Sequence, residues 1–549
     1  MTAGQIQLSD IREADRTPLV AALIEQIAAQ QEQIAKQQEQ IAKQQEQIYK
    51  LKEQCQSLRD EVARLKRNKG KPKVPPSKLN DGKRKKAKQR KGKRPGSAKR
   101  SKTAELKIHR TVDVPPPDVP EGSRFKGYEE FTVQDIKFES HNVVYRLERW
   151  ETPAGDTLKG TLPDGVSQGH FGVTLICFIL YQYYHAQVTQ PLILEQLQDV
   201  GVDISSGKLN DIIIEGKDRF HAEKDEILRV GLQVSRYIQV DDTTARHDGK
   251  NGYATHIGNE LFGWFQSTDS KSRINFLELL RASNTDYVLS AEALTYMEAQ
   301  RLPQGPLAAL RVFENRRFET KQEWEYLLGA LKIQTERHVR IATEGALLGS
   351  IIDHGLRPDI VVVSDDAGQF NLILILHALC WIHAERTINK LVGFTAAQRK
   401  ALTQIRSQIW DFYDGLKAYK KSPTKKEKRR LDKRFDAIFT TQTCFPTLNA
   451  ALKRLHRNKS ELLLVLDYPY IPLHNNLSES DVREYVKKRK ISGSTRSDHG
   501  RRCRDTFASL KKTCRKLGVS FWSYRTWLPV AGPVTLWNYG ASQDRLMPQ

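Results

Sequence analysis

The residues of this chain best suited to chemistry are carboxylates in three short clusters that lie far apart in sequence. They read YIQVDDT (Tyr237–Thr243), IVVVSDDAG (Ile360–Gly368) and LHNNLSESDVREYVKK (Leu473–Lys488). The first two set aspartate pairs at the ends of β-branched apolar runs, which predicts strands ending in Asp241–Asp242 and Asp365–Asp366. The third sets Glu479 near the start of a basic segment with helical patterning. Carboxylates on two strands and a helix suit a hard divalent cation, Mg²⁺ or in its place Mn²⁺, which takes oxygen ligands. Two such ions about 3.5–4 Å apart activate the attacking oxygen and stabilise the leaving oxygen of an in-line phosphoryl displacement. Three carboxylates suffice if one bridges both ions. A single Asp-Asp pair at a strand end is often only a turn or a helix cap; three clusters in these contexts carry far more information.

The charge of the chain names the substrate class. The formal net charge is +23 over 549 residues, and it is unevenly placed. Between Lys66 and Lys102 stand 18 Lys and Arg against one acid, Asp81. That stretch, which includes Lys83, Arg84, Lys85, Lys86, Arg90 and Lys91, reads as a flexible tether whose partner is phosphate. Lys487, Lys488, Arg489 and Lys490 extend the basic character next to Glu479 and are expected to track a DNA backbone. The six cysteines are scattered and form no CxxC pair, which argues against a disulfide framework or a zinc ribbon. No run approaches the roughly 20 apolar residues that span a bilayer. The expected setting is cytoplasmic, on a bacterial nucleoid, with no membrane partner.

The elements that must position these residues follow from periodicity. Residues 1–65 contain a seven-residue repeat with Ile27, Ile34, Ile41, Ile48, Cys55 and Val62 at one seam position and Gln30, Gln37 and Gln44 among the leucines at the other. This predicts a left-handed coiled coil, and so self-association. The tether occupies 66–104, and alternating runs among prolines suggest a small β-rich module over 105–166. Residues 167–235 read as helical, with LEQLQDVGVDISSGKLNDII resembling a helix-turn-helix. From 236 to 490 the strands YIQVDDT, GYATHIGN and LFGWFQST, a helix SRINFLELLR and the strand IVVVSDD make an α/β core. Helical insertions fall at about 282–356 and 395–464, and LILILHALCWIHAERTINKL reads as one helix. A basic tail region covers 491–549.

Three segments carry a family resemblance. VDDTTARHDGKNGYATHIGN, VSDDAGQF followed by CWIHAER, and LHNNLSESDVREYVKKRKISGSTRS with GRRCRDTFASLKKTCRKLG resemble the DDE transposases of the insertion-sequence-66 class, over about residues 20–525. The resemblance implies an RNase H-like catalytic core whose acidic triad binds two divalent metals, cuts DNA at element ends and joins the freed 3′-OH to target DNA. It implies terminal inverted repeats and target DNA as partners, with small accessory proteins of the same element as further candidates. Residue by residue, the D-x-T pattern falls on Asp241 and Thr243, D-x-A on Asp365 and Ala367, and NNxxE on Asn475, Asn476 and Glu479, with separations of 124 and 114 residues. Asp242 and Asp366 remain register alternatives, because one residue along a strand reverses the side chain.

Two departures from the family pattern stand out. The family often carries a zinc module before the helical region, but VPPPDVPEGSRFKGYEE has no cysteine, so no structural zinc is expected. An arginine-rich pattern after the glutamate is altered, with Ser480 following Glu479 and Arg483 one turn on, within reach of phosphate. Cys380 and His383 lie on one helix face as a CxxH whose expected role is bracing the site. His247 and His256 read as turn or strand residues, and Trp264, Trp381 and Trp522 as core. The rival readings are a DNA-binding protein that has lost catalysis and a metal-dependent nuclease that cuts without joining.

Overall fold

The structure, a computed structural model, describes residues 106–527 apart from 164–165, 167–168, 358 and 373, together with scattered positions between 18 and 44. Two compact units divide the chain, Met1–Val133 and Gln134–Gln549. In the first, every described position between 18 and 44 is helical. Ile27, Ile34 and Ile41, which share one position of the heptad, are 45%, 52% and 53% exposed. Much of the heptad tract and the whole basic tether, with Lys83, Arg84, Lys85, Lys86, Arg90 and Lys91, lie outside the described residues.

The second unit begins with a short hairpin, β1 (Arg149–Glu151) and β2 (Thr157–Lys159), whose residues are all exposed. Four helices follow: α1 (Val173–Leu180), extended by a π-helical turn at Tyr181–His185, α2 (Gln190–Asp199), α3 (Ser206–Ile214) and α4 (Asp218–Val234). The α2–α3 pair has the form expected from sequence. Gly201 turns the chain at φ +79°, and the Ser205 side chain accepts from Lys208 N to cap α3.

Then come β3 (Tyr237–Thr244), β4 (Tyr253–Gly258), β5 (Gly263–Thr268) and α5 (Arg273–Leu280). A mainly helical insertion contains β6 (Tyr287–Val288), α6 (Ala291–Ala299), α7 (Gln304–Arg311), β7 (Arg317–Phe318), α8 (Lys321–Ala330) and α9 (Glu336–Asp353). The chain returns through β8 (Val361–Ser364), β9 (Leu376–Leu379) and α10 (Trp381–Asn389). A second insertion holds α11 (Ala396–Lys421), α12 (Lys425–Phe439), α13 (Pro446–Arg457) and the single turn α14 (Lys459–Leu462). Last are α15 (Asn476–Ser492), α16 (Asp498–Lys516) and α17 (Phe521–Trp527).

This is a mixed α/β architecture around one five-stranded sheet, ordered β5-β4-β3-β8-β9. β3, β4 and β5 are antiparallel neighbours, while β8 runs parallel to both β3 and β9. Alternation of side chains splits the core between the two faces. Ile238, Val240, Ile257 and Val362 pack with Leu277 and Leu347 on one side. Val361, Val363 and Ala378 pack with Ile409, Phe412 and Phe435 of the second insertion on the other.

Two sequence expectations change here. The run from Leu372 to Leu391 is a strand followed by a helix, not one helix: LHAL pairs with β8, and Cys380 N extends the ladder to Ser364 O at 2.9 Å. A short apolar run buried beside a parallel strand has no period that separates it from a buried helix. Trp264 and Trp381 are buried as expected, but Trp522 is 37% exposed and lies edge-on to Tyr181.

β5 is the sheet's antiparallel edge, and α16 closes it. The outward N–H groups of Gly263, Phe265 and Ser267 donate to Thr513 Oγ1 (3.3 Å), Ser509 Oγ (2.8 Å) and Asp505 Oδ2 (2.7 Å). Two strand residues advance about 6.7 Å and four helix residues about 6 Å, so every second strand amide meets every fourth helix side chain. An edge that would otherwise present open donors is capped by hydroxyls and a carboxylate. Asp505, with no exposed surface, also accepts from Ser267 Oγ and the Tyr485 hydroxyl. Ser509→Ala leaves the Phe265 amide buried without a partner and is expected to lower stability by about 1–3 kcal/mol. The urea-denaturation midpoint measures this loss, and an unchanged midpoint would show that α16 does not hold the edge.

Candidate active site

The register of β3 on β8 decides which aspartates meet. Tyr237 stands opposite Val361 and Gln239 opposite Val363, so one more pleat brings Asp241 level with Asp365, the residue after β8. Both then project from the face that carries the second insertion, because positions two apart share a face. Asp242 turns to the other side, where Thr255 Oγ1 donates to one of its carboxylate oxygens (2.6 Å) and Gln369 Nε2 to the other (2.9 Å). Asp366 is exposed and pairs with Arg454 and Asn458. Geometry therefore separates each pair into one member facing the cluster and one held elsewhere.

α15 is fastened to the same face by amide chemistry. Asn475, at its N-cap position, donates Nδ2 to Val240 O at 2.7 Å, directly behind Asp241. The Gln239 side chain bridges strand and helix: its Nε2 donates to His474 O (3.1 Å) and its Oε1 accepts from Ser478 N (3.3 Å). The Cys380 thiol accepts from Asn475 N at 3.2 Å, so the cysteine of the CxxH braces the helix start. His256 is opposite Asp241 on β4 and wholly buried, with Nδ1 2.7 Å from Ser478 Oγ and Nε2 3.2 Å from Asp481. Lys512 (3.2 Å) and Lys516 (2.7 Å) close on the same Asp481 carboxylate. Burial pushes the Asp481 pKa up, but His256 and the two lysines outweigh it and hold the group far below the usual carboxylate range.

One turn into α15, Glu479 lies on this face with its side chain 16% exposed. Its Oε2 is 3.3 Å from Arg483 Nη2. Oε1 is buried and has no hydrogen-bond partner. His383 Nε2 lies 3.8 Å from that oxygen, but it already accepts from Arg386 Nη1 at 3.1 Å and has no proton to offer. A buried carboxylate oxygen left unpaired costs on the order of 1–3 kcal/mol. Asp241 registers the same crowding: burial first, then the negative charge of Asp365, and after it those of Asp242 and Glu479, raise its pKa to about 7 against the lowering effect of the Asp242 amide. Among the described residues, no three His, Cys, Asp or Glu side chains gather closely enough to hold one ion as they stand.

The donor set fits a hard divalent ion. It offers carboxylate oxygens only, one of them an orphan, in a half-buried site with no competing lysine ion pair on Asp241 or Glu479 among the described residues. Of the basic residues expected to lie along DNA, Arg483, Lys487 and Lys490 are exposed. Lys488 is not: it is buried over the Tyr183 ring (3.4 Å) and donates to Tyr183 O (2.8 Å). Arg489 is committed to Thr243 and Thr244 at the end of β3. Gln239, Ser478, Asp481, Lys512 and Lys516 were not foreseen. The one sequence signal was Gln239 itself, a polar residue in phase with Asp241 within the apolar first half of β3. No helix among the described residues is long and apolar enough to cross a membrane.

Comparison with known proteins bears on this region. A model of the family described as "Transposase IS66 family" matches residues 311–502, a span that includes Asp365 and Glu479. A protein of Sinorhizobium fredii (strain NBRC 101917 / NGR234), described as "Uncharacterized protein y4jO", is 46% identical over 300 residues, covering 54% of this chain and 93% of that one.

The raised pKa of Asp241 has a definite sign in stability. The folded state holds this proton more tightly than the unfolded chain does, so stability falls as pH rises from the ordinary aspartate range to about 7 and is lowest above it. Asp241→Asn is therefore expected to stabilise the metal-free protein at about pH 8 and to have little effect near about pH 4. Denaturation curves at the two pH values provide the check; an equal effect at both would remove Asp241 from the shared field.

Proposed function

We propose, on the match of residues 311–502 to the family described as "Transposase IS66 family", that the chain is a metal-dependent DNA transposase of RNase H-like type that cuts the ends of its element and transfers the 3′-OH strand to target DNA. The observation that supports the reading is that Asp241 and Asp365 project level with each other from one face of the sheet, that burial, then Asp365 and more weakly Glu479, raise the Asp241 pKa, and that Glu479 keeps an orphan oxygen.

Asp241, Asp365 and Glu479 are the groups that would hold Mg²⁺ or Mn²⁺. Bound there, such ions supply an activated attacking oxygen and stabilise the leaving oxygen of phosphodiester exchange. The protein's own part is placement. The parallel β3–β8 pairing fixes the two aspartates level with each other, and the Gln239 and Asn475 amides fix the helix start against the strand. Arg483 holds one oxygen of Glu479 and leaves the other without a hydrogen-bond partner, and its exposed guanidinium can also meet a phosphate oxygen. In the absence of a cation Asp241 takes up a proton near neutral pH, so protonation competes with metal at this group.

The remaining parts have roles in the same scheme. The basic tether supplies salt-sensitive, sequence-independent affinity for DNA. The α2–α3 pair is the candidate reader of terminal repeats, and the N-terminal heptads pair protomers so that two element ends can be held together.

The test is strand cleavage of DNA carrying the gene's own flanking sequence, with Mg²⁺, comparing wild type with Glu479→Gln. The amide nearly preserves shape and removes one charge. Cleavage is expected to fall by roughly a hundredfold or more while DNA binding persists. Tight binding with no cleavage by either protein would instead favour the non-catalytic DNA-binding reading.

A further inference from the structure

The second insertion is rigidly joined to the sheet face that bears Asp241 and Asp365. Val361 and Val363 share a core with Phe412, Leu431, Phe435 and Leu448. Trp381 Nε1 donates to Leu462 O (2.9 Å), tying the end of the block to the start of α10, and the Tyr419 hydroxyl donates to Leu466 O (2.8 Å), fastening α11 to the turn that follows α14. What the block presents to solvent is therefore held at a fixed place beside the carboxylates.

α13 makes that presentation. Leu448, Leu452 and Leu455 are buried, a 4-then-3 spacing that turns Lys453, Arg454 and Arg457 outward along one exposed row. The helix contains no acidic residue. Within the exposed row the acidic contact comes from the rim of the site: Arg454, 57% exposed, pairs with Asp366, and Asn458 Nδ2 lies 3.3 Å from the same carboxylate, while His456, off the row, meets Asp436. Asp366 follows Asp365 directly, so the row starts one residue away from the acidic cluster. Lys453 and Arg457 have no acidic partner among the described residues. Cations in a last helical turn favour the helix dipole. The dipole accounts for Arg457 in the last turn, but not for the bond from Arg454 to the rim or for the unpaired Lys453.

We propose that Lys453, Arg454 and Arg457 form a phosphate clamp for the DNA strand whose reacting phosphate lies at Asp241, Asp365 and Glu479. The inference rests on the DNA reading given above and adds the surface that positions the strand. Arg454 and Arg457 are three residues apart, about one helical turn or 4.5 Å in rise, so their long side chains can reach neighbouring phosphates of one strand. Arginine suits the task because its planar fork grips a phosphate through two parallel N–H donors. In the free protein one prong of that fork, Arg454 Nη2, pairs with Asp366. On binding, a phosphate takes the place of Asp366, whose carboxylate keeps Asn458 as a donor.

The experiment measures affinity of the full-length protein for a duplex carrying the gene's flanking sequence, in metal-free buffer, over a range of salt concentrations. Arg454→Ala with Arg457→Ala is expected to weaken binding roughly tenfold at moderate salt and to lower the log–log salt slope by about two. Arg454→Lys is expected to keep the slope, since the charge remains. The charge-matched control is Arg311→Ala with Lys321→Ala, two exposed cations of the first insertion, which packs against the opposite face of the sheet. A double variant that binds with wild-type affinity and slope would overturn the clamp, as would a control that loses as much. A wild-type protein that fails to bind this duplex would instead count against the DNA reading itself.

Discussion

The parallel pairing of β3 with β8 is the constraint on which everything else in the site depends. It joins strands whose paired residues are 124 apart, and it converts that distance into adjacency of two aspartates. Had the pairing slipped by one residue, Asp242 or Asp366 would face the helix and the partner aspartate would be lost to the opposite side. The register is held by burial on both faces at once. Ile238, Val240 and Val362 are committed to one core, and Val361 and Val363 to the other, so a slip would misplace both sets together.

The second constraint is how α15 is seated. Glu479 owes its position to uncharged amides and a thiol, Gln239, Asn475 and Cys380, while charged groups lie one shell further out around Asp481. This ordering makes physical sense. Neutral hydrogen bonds fix a backbone next to acidic groups without adding cations that would compete for the carboxylates, and the buried ions beyond satisfy one another. The burial that chiefly lifts the Asp241 pKa, and the charge of Asp365 that adds to it, are left uncancelled.

Much of this was legible in the sequence, and the boundary of legibility has a physical form. Strands ending in acids, a helix carrying Glu479 and a helix–Gly turn–capped helix each follow from a local period or a local cap, which neighbouring residues encode. β9 was not legible, because a buried strand shows no alternation. The burial of Lys488 under Tyr183 was not legible either, because a lysine on a basic helix looks solvated until the opposing surface is known. The same holds for Thr513, Ser509 and Asp505: their fourfold spacing is visible in the sequence, but its match to the twofold spacing of β5 exists only once helix and strand lie side by side.

That last match sets a timetable for the chain during synthesis. Strands β3, β4 and β5 can form a meander early, but its open edge finds its cover only when the polypeptide has been made as far as Thr513. The parallel partner β8 and the helix of Glu479 also arrive late, separated from β3 by long insertions. Non-local pairings of this kind close slowly, after the intervening segments have folded. A ribosome therefore exposes the basic stretch of residues 66–102 long before any assembled carboxylate cluster exists. A nascent or prematurely ended copy carries the basic charge without the assembled carboxylates.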